Sequence, residues 1–312
     1  LVTPAKASAN NGNWHTAARW QSFLSSNHIV DVVNDWSASD GETSDAMIAL
    51  HARRSADSIA NFAKTGRPLA VVLTGTDLYR DIRSDTSAQH SLDLADQLVV
   101  LQAQGLEELI PEHRAKAVVI EQSAPRLTAP RRSAQTVDLV MVGHMRSEKD
   151  PLTALRAFSH LTNPALRLHH AGRTDDAQIG PLAQSLAQQD ARIVLHGPLA
   201  HQASRELIAG SQFMLLPSVM EGGANVLIEA VMSNVPVLAS KIGGSIGMLG
   251  AHYPGYFPVG DSEALAQLIT RCTTQPEFVD QLNVHCASRA PLFEPAREAA
   301  NVQALASKLL LA

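Results

Sequence analysis

The sequence predicts an α/β chain of two doubly wound domains, each a parallel sheet between helices, facing each other across a cleft. Three observations lead there. Short apolar runs alternate with longer amphipathic stretches along nearly the whole chain, the signature of β/α units. The chain's 312 residues suit two domains better than one, since a domain typically runs to ~150 residues. Midway, the stretch from Ala124 to Ser133 is rich in proline and arginine and has no apolar period, so it reads as an interdomain linker.

The first domain is expected over residues 1–133, with strands at Ile29–Val33, Ala46–Leu50, Leu69–Leu73, Gln97–Leu101 and Ala117–Ile120. Helical periodicity lies between them, as at His15–Leu24 and Ser55–Lys64. The second domain, residues 134–295, restarts the pattern. Its strands are expected at Val137–Val142, Leu166–His170, Arg192–Leu195, Gln212–Leu216 and Pro236–Ala239. Pro151–Leu161, Ile179–Gln188, His201–Ala209, Ala224–Met232 and Ser262–Cys272 are the helices between and after them. A last helical stretch, Ala296–Leu311, is expected to pack back on the first domain.

Composition narrows the function. At 45% hydrophobic and 18% charged residues the chain can bury two cores. A net charge of -5 argues against a general nucleic-acid binder. No apolar run reaches the ~20 residues that span a bilayer, and no signal peptide is recognisable. With Cys272 and Cys286 as the sole cysteines, the expectation is a soluble, cytoplasmic protein without a disulfide framework.

Two motifs carry chemistry. The first is Pro217–Ser218, then Glu221, Gly222, Gly223, Ala224 and Asn225, then Glu229, after a strand and into a helix. The glycines allow close backbone approach. Amides at a helix start favour a diphosphate. Glu221 in the loop and Glu229, expected about two turns into the helix, can each accept from paired sugar hydroxyls, one from a hexose and one from a ribose. The blander reading is a helix-start charge and a solvated glutamate. The second motif is Gly143, Arg146 and Lys149 in the loop before Pro151. Here two cations can neutralise a leaving diphosphate, arginine as a planar fork and lysine as a mobile point charge. Alone, that loop would read as solvated charge.

Taken together, these motifs resemble the GT-B glycosyltransferases of the large retaining family four, with a glycine-started Arg/Lys loop and two glutamates separated by seven residues. The resemblance implies a nucleotide-sugar donor. Arg146, Lys149 and Glu221 are then catalytic, and Gly143, Gly222, Gly223, Ala224, Asn225 and Glu229 bind the donor. Gly197, Pro198 and Leu199 fall where such enzymes seat the nucleobase on backbone groups. One departure stands after Ile242–Gly243–Gly244, where the family commonly has glutamate and this chain has Ser245.

The first domain is expected to define the acceptor. Its unusual stretches are Asn11–Gly12–Asn13 before Trp14, His51 with Arg53 and Arg54, Thr74–Gly75–Thr76 with Arg80, and Glu121–Gln122–Ser123. With Gly244…Gly247–Met248–Leu249, they resemble the SenB-type selenosugar synthases of selenoneine biosynthesis, nearly end to end. That likeness implies coupling of a UDP-sugar, UDP-N-acetylglucosamine by preference, to selenophosphate, with release of UDP and phosphate. Other enzymes of that pathway would be candidate partners.

The residues suit such chemistry. A small anion needs charged and neutral donors, which Arg53, Arg54, Arg80, Asn13, Thr74, Thr76 and Ser123 can supply, with Asn11, Gly12 and His51 beside them. A surface role is expected for at least one of the three arginines. His170 and His196 read as packing or backbone-bonding groups, and Trp14 and Trp20 as helix-packing residues. The histidines are scattered and no Asp-x-Asp stands at an obvious strand end, so no metal or other cofactor is expected. Two alternatives stay open: the same fold with another small-molecule, glycan or lipid acceptor, or a nucleotide-sugar-binding protein without turnover.

Overall fold

The computed structural model describes residues 1–6, 11–37, 44–128 and 135–311. In chain order come α1 (Gly12–Leu24), β1 (Met47–Leu50), α2 (Ala56–Ala63), β2 (Leu69–Leu73), a π-helical turn at Asp77–Asp81, α3 (Ile82–Ser84), α4 (Thr86–Leu94), β3 (Gln97–Val100), α5 (Pro111–Arg114) and β4 (Ala117–Val119). There follow β5 (Val137–Val142), α6 (Pro151–Ala157), β6 (Leu166–Ala171), α7 (Ile179–Gln189), β7 (Ile193–Leu195), α8 (His201–Gly210) and β8 (Phe213–Leu216). The chain ends with α9 (Asn225–Met232), β9 (Val237–Ser240), α10 (Gly243–Leu249), β10 (Tyr256–Phe257), α11 (Ser262–Thr274), α12 (Pro276–Arg289) and α13 (Pro295–Leu310). Two compact units result. The first holds Leu1–Ser123, Glu221–Ala224 and Phe293–Ala312, and the second Ala124–Met220 and Asn225–Leu292.

In the first unit a parallel sheet runs β1-β2-β3-β4, and Val2 adds a parallel bridge to Ala49. Alternate strand residues serve opposite faces. Met47, Ala49, Val71, Leu73 and Val100 join Ile59 and Phe62 of α2 and Leu92 of α4 in one core. Ile48, Leu50, Ala70, Val72 and Val99 join Ala17, Trp20 and Leu24 of α1 and Val302, Leu305 and Leu309 of α13 in the other. Helices on both faces explain why β2 is apolar at every position. Local signals start the helices: the Asn11 side chain accepts from the Trp14 amide at 3.2 Å, and Asp85 caps α4 through the Ala88 amide at 3.0 Å.

A buried carboxylate fastens α13 to this unit. Glu298 is fully buried. It accepts from Arg19 Nε and Trp20 Nε1, each at 2.7 Å, and from the Ser123 amide at 2.7 Å and hydroxyl at 2.6 Å. A charge taken from water needs this many donors.

The second unit has a parallel sheet in the order β10-β9-β8-β5-β6-β7. β5 lies beside β8, with Leu139 opposite Phe213. The chain winds outward on both sides of this pair, so the carboxyl ends of β5 and β8 form the switch point where doubly wound sheets take ligands. Cys272 and Cys286 are free and buried, and burial pushes the Cys272 thiol up to about 12. Among the described residues no helix is long and apolar enough to cross a membrane.

Several expectations are corrected. Ile29–Val33 is not a strand: among the described residues its pairing is limited to backbone bonds with Leu1 and Thr3 and one bridge from Val33 to Val2. Ile29 is 98% exposed, so this β-branched run has little sheet to cover, and propensity alone does not build a strand. The helix expected from Pro151 to Leu161 ends as α6 at Ala157 and tightens into a 3₁₀ turn at Phe158–His160. α10, α12 and β10 were not among the expected elements. α9 starts at Asn225 rather than Ala224, which sets Glu229 about one turn into the helix, not two. Expected in the second domain, Glu221–Ala224 instead pack with the first unit. Ala124–Thr128 carries no helix or strand. The rest of the expected linker, 129–133, lies outside the described residues, as does the boundary at 133/134.

Candidate functional site

In the second unit the loops after β5 and β8 meet at the switch point. Gly143, His144, Lys149, Pro151, His170 and Ser218 line a small cavity there. Backbone bonds tie the strand ends in series: the Gly143 amide donates to the Ala171 carbonyl and the Gly172 amide to the Gly197 carbonyl, each at 2.9 Å. The Val219 amide donates to the Glu148 carbonyl at 2.9 Å, which couples the two loops. From β9, the Ser240 hydroxyl donates to the Ser218 carbonyl. A Cβ at Gly172 would overlap the Gly143 carbonyl, so only glycine lets the loop pass.

The carbonyl of Gly143 also accepts from His170 Nε2 at 2.9 Å. His170 is 1% exposed, and burial pushes its pKa down to about 4. The ring is therefore neutral near pH 7, with its proton on Nε2. Arg146 is exposed in extended backbone, and Ser147–Lys149 forms a 3₁₀ turn. Asp150 then takes a left-handed conformation and accepts from the Thr153 hydroxyl at 2.6 Å, with Pro151 opening α6. The loop thus presents Arg146 and Lys149 from a braced frame.

Glu229 is almost completely buried in α9, and its Oε1 accepts from His201 Nε2 at 2.6 Å. His201 is the first residue of α8 and was absent from the expected set. A signal for it did exist: a helix following a strand of such a sheet begins at the carboxyl edge, where the ligand lies. Gly197, Pro198 and Leu199 form the turn between β7 and that helix. Asn225 is the first residue of α9, and Ser245 is fully buried in α10.

In the first unit the loops after β1 and β2 are locked together by Asp77. Its buried carboxylate accepts from the Thr74 amide at 2.9 Å, the Gly75 amide at 2.8 Å and the Ala52 amide at 3.0 Å. Asp77 directly follows the Thr74–Gly75–Thr76 stretch and is not among the candidate residues of the sequence analysis. His51 sits between these loops at φ 72, a backbone seldom adopted by non-glycine residues. Its Nδ1 accepts from the Arg54 amide at 3.3 Å, so the ring proton lies on Nε2 and goes to the Thr76 hydroxyl at 3.0 Å. Burial holds the His51 pKa below the usual histidine value, with nearby Asp77 opposing.

The arginines here separate into two kinds. Arg53 pairs with Asp85 at 2.8 Å and Arg80 with Asp81 at 3.0 Å, so both guanidinium groups already face carboxylates. The exposed Arg54 side chain has no ion pair with the described residues. Ser123 is committed to Glu298 through both amide and hydroxyl. Asn11 caps α1, with Gly12 and Asn13 as its first two residues. Glu221 is buried, Gly222 packs on the backbone of Thr74 and Gly75, and Gly223 packs on Leu101 and Gln122. Any side chain at Gly222 would meet the Thr74 carbonyl at 2.5 Å. The amides of Gly222–Ala224 therefore belong to a packed loop, not to the first turn of α9. Tyr79 is pushed up to about 12 by burial and then by Glu108, with a smaller contribution from Glu221. Among the described residues no group of three His, Cys, Asp or Glu could hold a metal ion.

The family described as "Glycosyl transferases group 1" matches residues 130–289, about half of the chain. TuaC of Bacillus subtilis (strain 168), named as a teichuronic acid biosynthesis glycosyltransferase, is 30% identical over 107 residues. That match spans 33% of this chain but only 27% of TuaC. Among solved structures, Anabaena HepE in complex with UDP and glucose has a TM-score of 0.75 at 16% identity, covering 92% of this chain and 89% of that one. Sucrose-phosphate synthase from Thermosynechococcus elongatus has a TM-score of 0.72 at 18% identity, covering 86% and 74%. At such identities the likeness is one of fold, and the fold is GT-B, with two Rossmann-like parallel-sheet units. By its family match, the chain belongs to the group 1 glycosyltransferases.

Proposed function

We propose that this protein transfers a sugar from a UDP-sugar, UDP-N-acetylglucosamine by preference, to selenophosphate, giving a selenosugar, UDP and phosphate. The observation that carries the donor half is the braced switch point of the second unit, where a basic loop and the loop after β8 are joined by Val219 and Glu148. There Arg146 and Lys149 take up charge on the departing UDP. Glu221 holds the hexose and Glu229 the ribose. Gly197–Leu199 seats the base on backbone groups, and Asn225 at the start of α9 donates to the donor.

For the acceptor half, support comes from the sequence stretches of the first unit and from their arrangement. Neutral His51 donates to Thr76, which leaves the Thr76 hydroxyl hydrogen for an anion. Arg54 is the guanidinium best placed to join it, because Arg53 and Arg80 already face carboxylates. Selenium of selenophosphate attacks the anomeric carbon. The carbon–oxygen bond to UDP breaks, and its electron pair leaves on the β-phosphate. Water then attacks phosphorus, the selenium–phosphorus bond breaks, and sugar selenol and phosphate result. Anionic selenium arrives already nucleophilic, so the first step needs no strong general base.

The test is UDP release from several UDP-sugars with and without selenophosphate, with mass analysis of products. A selenium-containing sugar formed only with selenophosphate is expected. Arg54→Ala should weaken selenophosphate use by roughly ten- to a hundredfold, while Arg53→Ala and Arg80→Ala do so less. Donor turnover that ignores selenophosphate would overturn the acceptor assignment and direct the search to other acceptors.

A further inference from the structure

α9 is an unusual place for a carboxylate. From Leu227 to Met232 every residue is buried, and Glu229 alone among them is charged. A charge in such surroundings is held in one orientation by whatever donates to it. Here His201 Nε2 meets Glu229 Oε1 at 2.6 Å, and the His201 side chain keeps 45% of its exposure. His201 therefore reaches from the surface to a buried acid. Its position in the chain adds a second argument. Only Ala200 separates it from Leu199, in the turn assigned to the base. Base and ribose are neighbours in any nucleotide, so one short segment can seat the first and aim the group that reads the second.

We propose that His201 is a positioning residue for nucleotide recognition. By engaging Oε1 of Glu229 it leaves Oε2 to accept from a ribose hydroxyl, and so sets the preference for ribonucleotides over deoxyribonucleotides. This rests on the reading of Glu229 as the ribose ligand. His201 touches Glu229 and acts through it.

The experiment measures binding of UDP, 2′-deoxy-UDP and 3′-deoxy-UDP by calorimetry on the wild type, His201→Ala, His201→Gln and Glu229→Gln, with thermal midpoints as folding controls. The wild type should bind UDP about tenfold more tightly than at least one deoxy analogue, the loss expected for one hydrogen bond to a charged group. His201→Ala should shrink that ratio several-fold and raise KM for UDP-sugar while leaving kcat nearly unchanged. His201→Gln, whose amide can also donate, should restore part of the ratio. If His201→Ala keeps the wild-type ratio while Glu229→Gln loses it, the positioning role is overturned and the ribose reading stands. Equal weakening of all three nucleotides by His201→Ala, without rescue by glutamine, also overturns it. Unchanged UDP affinity and ratio in Glu229→Gln would overturn the ribose reading, and the inference with it.

Discussion

His170 Nε2 donates to the Gly143 carbonyl at 2.9 Å, and the same carbonyl lies against Gly172, where a side chain would collide. One buried imidazole and one missing side chain thus set the start of the basic loop. Because His170 falls from 6.5 to about 4 on folding, the unfolded chain takes up the proton first. Stability tied to this group is complete above pH 6.5 and is lost as pH falls toward 4. At ~1.4 kcal/mol per unit, the full loss is on the order of 3 kcal/mol. His170→Gln keeps a donor that does not titrate. Urea unfolding at pH 7 and pH 4.5 should show a smaller acid loss in the variant, by about 2 kcal/mol. Parallel losses in both proteins would refute the account.

Glu298 is the counterpart in the first unit. Substituting alanine leaves Arg19, Trp20 and the Ser123 amide facing an empty polar space. Breaking a buried charge pair in this way costs about 3–5 kcal/mol. Chemical denaturation of Glu298→Ala should show a loss of that size, and Glu298→Gln an intermediate one. A change under about 1 kcal/mol, the scale of an exposed pair, would mean that α13 is held by its apolar face alone.

Arg146→Ala and Lys149→Ala should separate activity from stability. Arg146 is exposed, so thermal unfolding should barely move. Turnover should fall about 10²- to 10³-fold for either variant, the effect of removing one donor aimed at developing charge. Near-normal turnover would remove these residues from the leaving-group role.

Charge neutralisation by protein cations should make added divalent metal unnecessary. Turnover measured after exhaustive chelation is expected to equal that of untreated protein. Complete loss restored by Mg²⁺ or Mn²⁺ would defeat this expectation.

Much of the fold was legible because its strands are covered on both faces. Leu69–Leu73 is apolar throughout and Val137–Val142 at every position but Asp138, so neither needs a partner to be recognised. Ile29–Val33 is also rich in β-branched residues, but among the described residues its backbone pairs only with Leu1–Thr3. Pairing partners are non-local and leave no local mark. α12 escaped notice for a related reason. It buries only Phe278, Leu282 and Cys286 and leaves Val284 70% exposed, so its apolar stripe is thin and broken.

The sequence by itself determined the two-unit α/β class, the spacing of the Arg146/Lys149 loop and of the Glu221…Glu229 pair, and the family they resemble. Those features depend on residue type and on distance along the chain. Tertiary structure alone decided which side chains are already occupied. Arg53, Arg80 and Ser123 looked like donors for an acceptor, yet Asp85, Asp81 and Glu298 engage them. His201, from another helix, proved to be a partner of Glu229. Ser123 and Glu298 are 175 residues apart in the chain. Whether a polar group is satisfied depends on donors within about 3 Å of it, and folding brings those together from positions whose separation in sequence carries no such information.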